Sequence, residues 1–354
     1  MAMSLRERLL TTMRGGVADR IPWNIYASLL PKTEIGRAMQ RKGLSILSGT
    51  RVCREVHEGV TIRETRKETS DGPHIRVQIE TPAGTLDEEA TIDPAYGSRW
   101  IRKFFITGPE DYAAAEYYFR HTHVKPDYEG WRIADAAMGD AGVVLHEILP
   151  LPILHLYQYW MGAEGMAEGV YLYRDRFEAL LDAVERLYHQ QVELAAAGPS
   201  EVIWFPESIS AHVISPQLFQ RYCLPVYQRA VPVVRGAGKL TFAHFDGSIR
   251  PYLDLLKGID LNIIEAFTPP PMGDLTVAEA KAAWPDKVIW VNFPGNLYLE
   301  PAETIKTYTL ELLRTSAPGG RLVIGCTEDF PIQEFEKTFT AMGQAMAEYE
   351  GRPW

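Results

Sequence analysis

EVIWFPESISAHVISPQLFQRYCLPVYQRAVPVVRGAGKLTFAHFDG, residues Glu201–Gly247, reads as strand, loop, helix, strand. EVIWF and KLTFAHF are short apolar runs bounded by turn residues, the pattern of parallel strands buried on both faces. Between them Ser215-Pro216 supplies an N-cap and a first-turn proline, Pro225 is placed to kink the helix, and Gly236 to stop it. One βαβ unit therefore carries Glu207, Cys223, His244 and Asp246, all but Cys223 at strand ends. A carboxylate, a thiol and an imidazole brought together in this way could make a zinc site with one coordination position open.

The same rhythm extends outward. IRPYLDLLKG leads to LNIIEAF, LTVAEAKAAW to KVIWVNF, and AETIKTYTLELLRT to RLVIGC; upstream, VVLHEIL precedes the amphipathic run RDRFEALLDAVERLYHQQVELAAAG. Candidate strands begin near residues 21, 143, 201, 239, 261, 287 and 321, and an eighth is sought near Thr50 to Val56. That count favours an α/β fold of the closed (β/α)8 TIM-barrel type, one domain over 1–354. No glycine-rich phosphate loop follows any strand, which argues against a dinucleotide fold. Leu5, Leu9, Leu10 and Met13 predict an N-terminal helix ended by Gly15-Gly16. From about 60 to 92, alternating apolar and charged residues on either side of Asp71-Gly72 predict an antiparallel β-hairpin insertion with one wet face.

Composition narrows the function. The 354 residues are 46% hydrophobic and 23% charged, with a net charge of −10 and no long basic run, so neither nucleic acid nor an anionic membrane is an expected partner. The opening lacks the apolar core of a signal peptide, and no apolar stretch nears the roughly 18 residues that span a bilayer. A cytoplasmic protein is expected. Its cysteines, Cys53, Cys223 and Cys326, are then reduced and available as ligands.

In a barrel the chemistry gathers at the C-terminal strand ends. Those ends offer Tyr26, His146, Trp204 and Asn292 as candidates for substrate contact, and Glu207, His244, Asp246 and Glu265 as candidates for catalysis. Cys223 lies among Leu218, Phe219, Tyr222 and Val226, so it is either a ligand or a small buried hydrophobe. Cys326 is the alternative thiol. Trp23, Tyr26, Trp204 and Trp290 would suit an aromatic pocket.

VADRIPWN, ISPQLFQRYCLPVYQ, KLTFAHFDGSIRPYLDLLKGIDLNIIEAF, VNFPGNL and RLVIGCTEDFP together resemble the uroporphyrinogen decarboxylase superfamily. The resemblance implies a (β/α)8 barrel and divides between decarboxylases and corrinoid-dependent methyltransferases. WNIYASLLPKTEIGR carries no Arg-Gln-Ala-Gly-Arg segment of the kind that grips porphyrinogen carboxylates. HFD stands where thiol-directed methyltransferases have His-x-Cys, so His244 and Cys326 match and Asp246 departs. The methyl-ether branch is similar in its acid, acid, histidine pattern, matched by Glu207 and His244 with Cys223 in the middle place. TPPPMGD also looks like that branch. The resemblance thus implies zinc on Glu207, Cys223 and His244, and Asp246 and Glu265 orienting His244 or a substrate hydroxyl. It also implies a phenyl methyl ether as methyl donor and a cobalamin (corrinoid) carried by a partner corrinoid protein. Thiol- or amine-directed transfer, or tetrapyrrole binding without turnover, are the alternatives.

Overall fold

A computed structural model describes residues 2–70, 72–94 and 97–354, so the Asp71 half of the turn signal lies outside the described residues. Eight strands close into a barrel: β1 (Trp23–Tyr26), β2 (Leu44–Arg51), β3 (Gly142–Glu147), β4 (Val202–Ile209), β5 (Leu240–Phe245), β6 (Ile263–Phe267), β7 (Val288–Asn292) and β8 (Leu322–Cys326). Each is parallel to its neighbours, and β8 returns to β1 through the register Asn24↔Gly325. With helices alternating between strands, this is a (β/α)8 TIM barrel. Strands β6, β7 and β8 are buried at every position, as strands covered on both faces must be.

The eighth strand corrects the sequence reading. It is β2, Leu44–Arg51, whereas Cys53–His57 pairs antiparallel with Thr122–Pro126 outside the barrel. Leu44 and Leu47 carry the burial that makes β2 a barrel strand, and Gly49, which reads as a breaker in sequence, is accommodated inside it.

The chain divides into two compact units. The first comprises residues up to Arg51, Tyr128–Glu147 and Ala195–Trp354, and holds the whole barrel. Its interior is one cluster that includes Leu47, Val143, Leu145, Phe242, Trp290 and Val323, joined by Leu9 and Met13 of helix α1, Leu5–Met13. That helix starts on a reciprocal capping box between Ser4 and Glu7. It sits beside Gly139–Ala141, just ahead of β3, so it covers the end where the chain enters its strands and leaves the C-terminal ends for chemistry. The second unit, Val52–Asp127 and Ile148–Leu194, carries a four-stranded antiparallel sheet of Thr61–Lys67, His74–Thr81, Gly84–Ile92 and Arg99–Lys103. Its first strand is exposed at every position. Among the described residues no helix is long and apolar enough to cross a membrane.

Candidate active site

Leu240 and Phe242 of β5 point into the barrel, so alternation sends His244 inward two residues further on. The register of β5 and β6 pairs His244 with Glu265. Their side chains meet: His244 Nδ1 lies 2.9 Å from Glu265 Oε2. The other carboxylate oxygen of Glu265 accepts the Tyr26 hydroxyl at 2.5 Å, joining β1, β5 and β6 through one buried acid. Asp246 Oδ2 stands 3.8 Å from His244 Nε2, a charge contact too long for a hydrogen bond, and its side chain is half-exposed. Burial works against the imidazolium, but the charges of Glu265 and Asp246 outweigh it and raise His244 to about 10. Burial, with the Glu265 charge added, pushes the Tyr26 hydroxyl well above its ordinary range.

Glu207 and Cys223 form a second pair. Between Phe205 and Ile209 the register of β4 against β5 shifts, and Ser208 takes a positive φ of 53°. Such a bulge re-aims a side chain, and here Glu207 is fully buried. Cys223 ends a π-helical turn, Phe219–Cys223, where the sequence predicts a kink. Pro225 has no N–H to donate to the carbonyl of Arg221 and its ring crowds that carbonyl, which accounts for the widened turn. The Cys223 thiol is buried completely and driven well above its usual pKa, first by burial and then by the Glu207 charge.

The zinc set expected from the resemblance can be tested against this arrangement. Its donor chemistry suits zinc, but the geometry separates it: Glu207 stands by Cys223 while the His244 nitrogens face Glu265 and Asp246. Among the described residues no group of three or more His, Cys, Asp or Glu side chains is placed to hold a metal ion. Cys326 gives no better set, because its buried thiol, pushed up to about 12 mainly by burial, lies beside Tyr298 and the Glu328 carbonyl.

Trp204 and Tyr26 do form an aromatic wall. Their ring centroids are 5.6 Å apart, and with Leu47, Ser48 and Gly49 they line a cavity of about 220 Å³ at the C-terminal half of β1, β2 and β4. The other two tryptophans do not contribute. Trp290 is inside the core, donating to Asn24 Oδ1 at 2.7 Å, and Trp23 packs near Phe339 and Trp354. Asn292 is buried and holds loops together: its amide donates to Thr268 Oγ1 and its Oδ1 accepts from the Thr327 N–H. A larger cavity of about 330 Å³ lies against the helices Val277–Ala283 and Ala302–Ser316, but none of the expected site residues lines it.

His146 is the clearest departure from the sequence reading. Val143 and Leu145 face the barrel interior, so strand parity turns His146 outward and Glu147 inward. His146 is fully buried between Tyr128 and Trp131, and its Nε2 accepts the Ser200 N–H at 3.1 Å. His146 therefore packs behind its strand, and Glu147 is the residue that faces the barrel interior. Burial, reinforced by the Lys239 charge, holds His146 down to about 4 from 6.5. An unfolded chain binds a proton there near pH 6.5 and the folded one only near 4, so stability falls as pH drops through that window. The contribution at stake is about 3 kcal/mol. Urea unfolding across the window should show this slope in the wild type and lose it in His146→Phe; an unchanged slope would rule out His146 as its source.

Residues 154–349, more than half of the chain, match the family model described as Uroporphyrinogen decarboxylase (URO-D). Among solved structures, a methyltransferase from Methanosarcina mazei aligns over 98% of this chain and 99% of its own, with a TM-score of 0.59 and 13% identity, which speaks to the fold alone. An L-Ala-D/L-Glu epimerase aligns at a TM-score of 0.24 and 10% identity, covering 85% of this chain and 83% of its own, too weakly to carry an argument. No curated protein is similar enough in sequence to match.

Proposed function

This chain belongs to the uroporphyrinogen decarboxylase (URO-D) family, and from that premise we propose that it is a methyltransferase moving a methyl group from a phenyl methyl ether to the corrinoid of a partner protein, releasing a phenol. One observation carries this reading: fully buried Glu265 accepts the Tyr26 hydroxyl and faces His244 in an ion pair, next to an aromatic-walled cavity at the barrel's C-terminal end. Trp204 and Tyr26 provide ring faces for an aromatic ligand. Glu265 fixes the His244 ring through Nδ1, which leaves Nε2 available to a ligand oxygen, since Asp246 lies beyond hydrogen-bond reach of it.

When docked, the Co(I) corrinoid of the partner protein would supply the electron pair that takes the methyl group. The methyl C–O bond breaks, its electrons stay on the phenolate oxygen, and His244 Nε2–H donates to that oxygen. Because the expected zinc ligands do not converge, no step is given to a metal. Glu207 and Cys223 remain candidates to bind zinc together with His244. About one zinc per freshly purified chain, lost in His244→Ala, would restore that set.

The acidic residues at the strand ends support methyl transfer over porphyrinogen decarboxylation. Glu147, Glu207, Glu265 and Glu328 all stand at strand ends or just beyond them, where a substrate bearing several carboxylates would meet like charge. The test is incubation with a Co(I) corrinoid protein and a methoxyphenol. Growth of methyl–cobalt absorbance is expected. Transfer from thiols or amines only would move the donor class, and no transfer from any methyl ether, amine or thiol would favour tetrapyrrole binding.

A further inference from the structure

Glu147 is a carboxylate the proposed methyl transfer does not use. It ends β3 facing the barrel interior, and the register places it directly opposite Trp204 on β4. Among the described residues it makes no hydrogen bond or ion pair; exposed Arg51, its register partner on β2, acts on it only as a nearby charge. Burial dominates that attraction and raises the Glu147 pKa.

Gly49 explains how such a group reaches the cavity. A Cβ added at Gly49 would lie 2.9 Å from Glu147 Oε2 and 2.9 Å from Trp204 Cε3. Its φ is not in the left-handed region, so the backbone does not require glycine here; the space does. Because Gly49 itself lines the cavity, the carboxylate and the indole edge meet at a wall that any side chain would close. At Gly49 the cavity wall with its two aromatic rings therefore comes close to a half-buried carboxylate that has no hydrogen bond among the described residues.

We infer that Glu147, reached through the gap at Gly49, accepts a hydroxyl of the bound aromatic ring, so that the donor class is a methoxyphenol rather than a fully methylated ether. The inference rests on the proposed aromatic-ether reading and deepens it. A hydroxyl facing a carboxylate makes a strong hydrogen bond, whereas a methoxy group in its place shields the half-buried oxygen from water without giving it a donor. That loss separates two ligands differing by a single methyl group.

Calorimetric titration of the full chain with 2-methoxyphenol, 1,2-dimethoxybenzene and tetramethylammonium tests this without needing turnover. The wild type should bind 2-methoxyphenol at least about tenfold more tightly than 1,2-dimethoxybenzene. Glu147→Leu should abolish that preference by weakening the phenol alone, and Glu147→Gln, which keeps a carbonyl acceptor, should retain part of it. Gly49→Ala should weaken both ligands. Equal wild-type affinities, or a preference that survives in Glu147→Leu, would overturn the inference. So would tighter binding of tetramethylammonium, which would make the carboxylate and rings a cation site. If both ethers bind equally and methyl transfer still occurs, only the hydroxyl assignment fails; if neither aromatic binds, the aromatic-ether reading falls with it.

Discussion

Glu265→Gln is expected to lower the rate of methyl transfer by about 10²-fold while leaving KM within about twofold. One carboxylate oxygen of Glu265 accepts the Tyr26 hydroxyl at 2.5 Å, and the other faces His244 Nδ1 in an ion pair at 2.9 Å. An amide has a single oxygen. Gln removes the charge that pairs with His244, and with its one oxygen on Tyr26 its NH2 would face His244 Nδ1, so the ring loses its anionic anchor in a fully buried position. A rate loss of 10² corresponds to about 2.7 kcal/mol, within the range of one hydrogen bond to a charged group. Glu265 acts through His244 as a positioning residue, so the kcat and KM split is the readout that separates this role from a general loss of fold. Tyr26→Phe removes only one of the two donors and should cost less, about tenfold. An unchanged kcat in Glu265→Gln, with the His244 Nδ1 contact gone, would show that His244 needs no such anchor.

The His244–Glu265 pair also shows where sequence reading stops. Both residues are visible at strand ends, and the strands themselves are legible because apolar runs alternate with helical ones from Gly142 onward. Their partnership is not legible, since it follows from the register of β5 against β6. His146 and Glu147 present the same difficulty in one strand. GVVL is apolar throughout, so nothing in its composition says which of the two following polar residues faces the interior. The parity becomes readable only once Val143 and Leu145 are known to be the inward pair. Cys223 differs again. Its buried, packing-like neighbourhood is evident from Leu218, Phe219 and Val226, and Pro225 signals a disturbed helix, yet the π turn and the approach of Glu207 depend on the β4 bulge. The misplaced eighth strand has a local cause, for Gly49 breaks the apolar pattern of β2 in the sequence while the strand itself runs on through it, the missing side chain leaving room beside Glu147 and Trp204.

Trp290→Ala should be the most destabilising single change in the barrel floor, by about 3–5 kcal/mol in urea unfolding. Trp290 is fully buried in the interior cluster, stacked edge-on against Phe242 with centroids 5.0 Å apart. Its indole also donates to Asn24 Oδ1 at 2.7 Å, a bond from β7 to β1 that passes over β8. Gly325 makes that crossing possible: a Cβ there would lie 2.8 Å from both Asn24 Oδ1 and Trp290 Nε1. Two effects therefore contribute to the loss, and they can be separated. Trp290→Phe keeps most of the apolar volume but leaves the buried Asn24 oxygen without its donor, worth about 1–3 kcal/mol. The remainder of the Trp290→Ala loss is the cavity. Pairing Trp290→Phe with Asn24→Leu removes both polar partners and should be less destabilising than the sum of the single changes, as expected for groups in direct contact. Strict additivity in that cycle would mean that the hydrogen bond over Gly325 contributes nothing to holding β7, β8 and β1 together beneath the site.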